Sequence, residues 1–214
     1  MIRLLPAICL AAALAFSQSG SPSHTMTEGA HRMELVLERL DRDTWRTIDP
    51  GLVLAQGDRV RFKFRTNFDG YLYVMNQSSS GTYEQLFPRD ETGKDNHIAA
   101  SREYQVPATS AAFRIAGPAG HEVVYWMVSP ARLSDNAPRN PSLPPTKAPS
   151  PHLIPRCDDS LLRARGDCID SSAGPKPGYG SRDLVFMREG RQTVVSSPTP
   201  LTAPVVYHFL LAHK

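Results

Sequence analysis

The chain has 214 residues, 41% of them hydrophobic and 21% charged, with a formal net charge of +3 at pH 7. That composition supplies apolar side chains for one core and excludes wholesale disorder. A charge this small falls short of the clustered basicity of a dedicated nucleic-acid binder, so no nucleic-acid partner is expected.

The N-terminus reads as a secretory signal peptide over residues 1–17. Arg3 supplies an early positive charge, an apolar stretch runs from Ala7 to Phe16, and small residues fall at Ala13, Ala15 and Ser17. Cleavage is expected near Ala15 or Ser17. The stretch is too short to cross about 30 Å of hydrocarbon, so no transmembrane helix is expected after cleavage. Pro6, Ala7 and Ile8 precede Cys9 and the apolar run continues beyond it, which is the wrong context for a lipid-acceptor cysteine. The implied address is periplasmic or secreted. Removal of the signal leaves two cysteines, Cys157 and Cys168, and an oxidising compartment joins them as a disulfide. Their spacing fits neither a zinc ribbon nor a Cys-x-x-Cys redox motif.

From about residue 33 to residue 129 the hydrophobic period is two. Met33, Leu35 and Leu37 alternate with Glu34 and Glu38, as in a half-buried strand. Turns are marked by Asp49-Pro50-Gly51 and Gly57-Asp58. Val60, Phe62 and Phe64 then point one way while Arg59, Arg61, Lys63 and Arg65 point the other. Residues 71–75 are apolar on both faces and read as a central strand. A strand at 83–87 ends at Pro88, and a polar loop follows to Asn96. Shorter strands near an edge are expected at 103–106 and 112–115, and another central one at 123–128.

Composition changes at Pro130. Seven of the eighteen residues from Pro138 to Pro155 are proline, a density that neither sheet nor helix accommodates, so the stretch is extended and solvated. Between the cysteines, Asp158, Asp159 and Ser160 can cap a short helix at 161–163 that ends at Gly166. Strand signals return at 183–187, 192–195 and 205–211. The predicted fold is all-β: a single antiparallel, immunoglobulin-like β-sandwich of eight to ten strands with a Pro-rich, disulfide-containing insertion. Its core occupies residues 31–129, the insertion 130–180, and residues 181–214 return to the same domain as closing strands.

In order along the chain stand Gly57-Asp58-Arg59-Val60, Asp69-Gly70-Tyr71-Leu72-Tyr73-Val74, Gly81, Leu86-Phe87-Pro88, Asn96-His97-Ile98, Val106-Pro107 and the strand from Gly120 to Val128. In that order and spacing, residues 57–129 resemble the bacterial domain-of-unknown-function family 4384. The resemblance implies an envelope or surface protein. It carries over no catalytic or binding position, and the Pro-rich insertion departs from it.

Chemistry leaves few local marks. The seven histidines form neither His-x3-His nor His-Glu-x-x-His, no Gly-x-Ser-x-Gly elbow exists, and Gly174 to Gly180 lacks a phosphate-loop Lys-Ser/Thr pair. No catalytic residue, metal or cofactor is therefore expected. The residues to watch for an assembled centre are His97, His121 and Glu122. The acidic loop of Asp90, Glu91, Asp95 and Asn96 around Gly93 lacks calcium-loop spacing and reads as a solvated turn. His208 is expected on the exposed face of the last strand.

The sharpest feature outside the core is the row Arg59, Arg61, Lys63 and Arg65, four cations over about 20 Å of strand. It reads either as a contact for an anionic glycan or lipid, or as a solvated face neutralised by acids of neighbouring strands. The Pro-rich stretch reads as a tether or as a preordered docking segment. Together these features point to a non-enzymatic binding or assembly module of the cell envelope with a protein partner. The alternatives are a module for anionic glycans or lipids and, further off, a hydrolase or metal-dependent enzyme.

Overall fold

The computed structural model describes residues 31–79, 81–133, 154–158, 167–176 and 185–214. The expected signal peptide, most of the Pro-rich stretch and the short helix expected at 161–163 lie outside the described residues. Thirteen strands occur in chain order: β1 (His31–Asp41), β2 (Thr44–Thr47), β3 (Arg59–Thr66), β4 (Gly70–Gln77), β5 (Tyr83–Phe87), β6 (His97–Ile98), β7 (Glu103–Val106), β8 (Phe113–Arg114), β9 (Gly120–Ser129), β10 (Gly174–Lys176), β11 (Val185–Glu189), β12 (Gln192–Ser197) and β13 (Val205–His213). The described residues contain no helix.

The strands form two antiparallel sheets. One runs β11-β12-β1-β3-β7, with β2 added to β1 and β8 added to β3. The other runs β10-β13-β9-β4-β5, with β6 added to β4. The protein is an all-β sandwich. β9 lies at the centre of its sheet between β13 and β4, and all ten of its residues are buried. The apolar stretch at 71–75 becomes β4, with Leu72 and Val74 fully enclosed and its other face half-buried.

Alternation decides which side chains meet between the sheets. β3 sends Val60, Phe62 and Phe64 inward, each 3% exposed or less, and its cations outward. β9 sends Val124, Trp126 and Val128 inward, and β13 sends Tyr207, Phe209 and Leu211. Phe62 meets Trp126 edge-on at 5.2 Å between ring centroids and Phe209 at 5.5 Å. These perpendicular contacts place the positive edge of one ring on the negative face of another. The tight turn Asp69-Gly70 starts β4 where the backbone has no room for a side chain. A Cβ on Gly70 would come within 2.8 Å of the Ser129 carbonyl oxygen.

Thirteen strands exceed the eight to ten expected, because β2, β6 and β10 have only four, two and three residues. Segments that short show no alternation to read. The C-terminal segment is an inner strand. β13 pairs along β9 from Val205 opposite Val128 to His213 opposite Gly120. His208, expected on an exposed face, is half-buried on the outer face of β13, beside Tyr125 at 6.0 Å between ring centroids. Burial, with Lys176 nearby, lowers its pKa.

Candidate functional site

His121 and Glu122 are consecutive on β9, so they face opposite sides of the sheet. His121 points outward, where its Nε2 lies 3.1 Å from Asp170 Oδ2 and 3.4 Å from the Ser172 hydroxyl. Asp170 is 2% exposed and accepts further hydrogen bonds from the Ser172 amide and hydroxyl and from the Arg156 amide. Burial pushes its carboxyl up, but these donors outweigh that and hold it below the ordinary aspartate value. The disulfide joins Cys157 and Cys168 immediately beside these contacts, with their Cα atoms 4.7 Å apart.

Glu122 points inward, into the space between the sheets. Asn76 Nδ2 donates to Oε2 at 2.8 Å and the Ser79 amide donates to Oε1 at 3.2 Å. His213 Nε2 lies 3.3 Å from Oε1, and neither ring nitrogen of this fully buried histidine has an aligned hydrogen-bond partner. Burial raises the Glu122 pKa, but the adjacent His213 ring, the Asn76 amide and the Ser79 amide outweigh it, and the carboxyl sits below its ordinary value. Glu122 thus stays ionised at neutral pH although it is 8% exposed.

His97 does not join these two. It is exposed on β6 opposite Tyr71, at the start of β4, and contacts that ring edge-on at 5.3 Å. Glu122 lies past the far end of the same strand, where Gln77 pairs with Val123. About 20 Å of strand separates the two places. The partners Asp170, Asn76 and His213 carried no local signal in the sequence. The opposite orientation of His121 and Glu122 was readable from parity alone.

Glu122 and Asn76 face a cleft of about 410 Å³ that opens between β5 and β8. Leu86, Phe113, Ile115 and Leu211 form its apolar part, while Glu84, Arg89, Glu91 and Arg114 stand among its polar lining. A second cavity, of about 590 Å³, lies at the opposite edge of the sandwich. There Phe186 and Thr193 face Ile169, Ala173 and Pro175. β11, which bounds this cavity, is the terminal strand of its sheet among the described residues, and it presents Val185 and Met187 outward at 52% and 44% exposure. Arg188 of the same strand is ion-paired with Asp49.

The basic row is largely neutralised. Arg61 Nε bonds Glu38 Oε2 at 2.6 Å, and its guanidinium lies over the Trp45 ring at 4.2 Å. Lys63 meets Glu103 at 3.3 Å, and Arg65 meets Glu34 at 2.9 Å. Burial raises the Glu34 pKa, but Arg65 and Arg32 outweigh it and lower it overall. Arg59 forms no ion pair among the described residues and stands opposite Arg114 of β8.

The acidic loop is spent on separate contacts. Asp90 pairs with Lys94 at 3.1 Å, Glu91 with Arg89 at 3.2 Å, and Asp95 accepts from the His97 amide. Asn96 turns inward and donates to the Leu72 carbonyl. Gly93 adopts a φ of 114°, and a Cβ there would come within 2.8 Å of Ala108 Cβ. The described residues contain no group of three or more His, Cys, Asp or Glu placed to hold a metal, and no helix long and apolar enough to cross a membrane.

Residues 53–132 match the family described as Domain of unknown function (DUF4384), over the segment that carries the resemblance. No curated protein and no solved structure matches the chain.

Proposed function

We propose that the protein is a secreted or periplasmic, non-enzymatic binding module of the cell envelope, and that it takes an extended segment of a partner protein along the edge that β11 leaves unpaired among the described residues. One observation carries this reading. Among the described residues β11 ends its sheet, exposes Val185 and Met187, and borders a cavity of about 590 Å³. A strand added there would gain main-chain hydrogen bonds from the edge, with alternate side chains reaching the cavity. The disulfide between Cys157 and Cys168 is compatible with an oxidising extracellular or periplasmic setting. The proposed signal peptide agrees with that address.

Anionic glycans or lipids are the weaker candidates, since three of the four row cations already have carboxylate partners. The test is in-cell photocrosslinking from position 185 or 187. A discrete adduct with one envelope protein is expected, and the double substitution Val185→Lys, Met187→Lys should remove adducts formed from neighbouring position 189. Absence of any discrete adduct, or an adduct indifferent to the lysines, overturns the proposal.

A further inference from the structure

The buried carboxylate of Glu122 is a costly group to place between two apolar sheets. Removing a carboxylate from water is strongly unfavourable unless it is hydrogen-bonded and paired with a cation. Here the hydrogen bonds are present, from Asn76 and the Ser79 amide, yet no lysine or arginine among the described residues pairs with it. Its immediate ionisable neighbour is the His213 ring. Arg89, at the cleft mouth, is engaged by Glu84 at 3.8 Å and Glu91 at 3.2 Å. Arg114, also at the mouth, is solvent-exposed. An ionised carboxylate offers about four acceptor positions. Two are filled by aligned donors, which leaves room for another donor arriving from the cleft.

The cleft itself has the form of a small-molecule site. About 410 Å³ falls within the range of ligand pockets, which are mostly apolar with a few placed polar groups. Phe113 offers half-exposed aromatic surface, and Leu86, Ile115 and Leu211 complete an apolar wall near the carboxylate. In such low-dielectric surroundings a charge–charge contact is far stronger than in water.

We propose that the cleft between β5 and β8 binds a small apolar amine, its hydrocarbon body held by Leu86, Phe113 and Ile115 and its ammonium donating to Glu122. This site is independent of the β11 edge and lies at the other side of the sandwich.

The probes are 2-phenylethylamine and its neutral analogue 2-phenylethanol, titrated into the full mature chain and followed by amide chemical shifts. The amine is expected to move the amides of Asn76, Glu122 and Phe113 and to bind about ten- to hundredfold more tightly than the alcohol. Glu122→Gln should abolish that preference while leaving the alcohol affinity unchanged. Ala112→Trp, which places an indole in the mouth, should block both probes with the far-UV circular dichroism intact. Should Glu122→Gln fail to fold, the amine-to-alcohol ratio of the unmodified protein and the Ala112→Trp result together still decide the matter. Equal affinities for the two probes, a preference that survives in Glu122→Gln or Ala112→Trp, or no shift at millimolar amine overturns the proposal. A glutamate that served solely to fasten the turn at Ser79 would give equal affinities.

Discussion

Asp170 shows how a single side chain can tie separate parts of this chain together. Its carboxylate collects the Arg156 and Ser172 amides, the Ser172 hydroxyl and the His121 ring in a place almost closed to solvent. Its folded pKa lies below the ordinary 3.8, so the bound-proton count is lower in the folded than in the unfolded chain at acid pH. The stability this contributes is complete above the unfolded value and drains away as pH falls through and below it. Asp170→Asn is therefore expected to cost about 1–3 kcal/mol at pH 7. Urea unfolding at pH 7 and again near pH 3 should show the gap between the two proteins narrowing in acid. A gap independent of pH would refute the assignment. Glu34 and Glu122 have the same sign and add to the acid sensitivity. None of these partnerships was legible in the sequence. The facing of each residue follows from strand parity, but Asp170 meets His121 across 49 positions, and nothing local specifies that encounter.

Strand β3 carries the most legible pattern in the chain, and its two faces make opposite demands. Phe62 is fully enclosed between the sheets against Trp126 and Phe209, while Lys63 points outward to an exposed Glu103. Phe62→Ala should destabilise by about 3–5 kcal/mol, through lost apolar burial and the cavity left behind. Lys63→Ala should cost less than about 1 kcal/mol, since an exposed pair in water gains little. Equilibrium denaturation of the two variants checks this, and comparable losses would mean that the strand is turned over. The same pattern carried no information on what lies beside each strand. The sequence leaves Arg59, Arg61, Lys63 and Arg65 open between an anionic-ligand contact and a face neutralised by neighbouring acids, because the glutamates that answer three of them sit on β1 and β7. Strand order is set by long-range packing, and the alternation of a strand is indifferent to which neighbour it acquires.

At the scale of the whole molecule, the family-matched segment and the physical unit differ. Residues 53–132 contain β3 to β9. β1, which lies against β3, and β13, which lies against β9, both come from outside that segment. A fragment limited to 53–132 would leave the inner residues of β3 and β9 without neighbours on one side. It should therefore fail to fold, giving collapsed amide dispersion where the chain from residue 31 to residue 214 is well dispersed. A cooperatively folded fragment would refute this. That the later strands rejoin the sheets was anticipated from the apolar character of 205–211. Where they would insert was not, because a strand apolar on both faces fits any inner position equally well.

The pairing of β13 with β9 spans 77 positions even at its closest point, Val205 opposite Val128. During synthesis β9 therefore leaves the ribosome long before its neighbour does. In that interval one of its edges is open and the residues 123–128 are uncovered. The chain is most in need of a holding partner before its own last nine-residue strand arrives, and any delay in that arrival translates directly into time at risk of self-association.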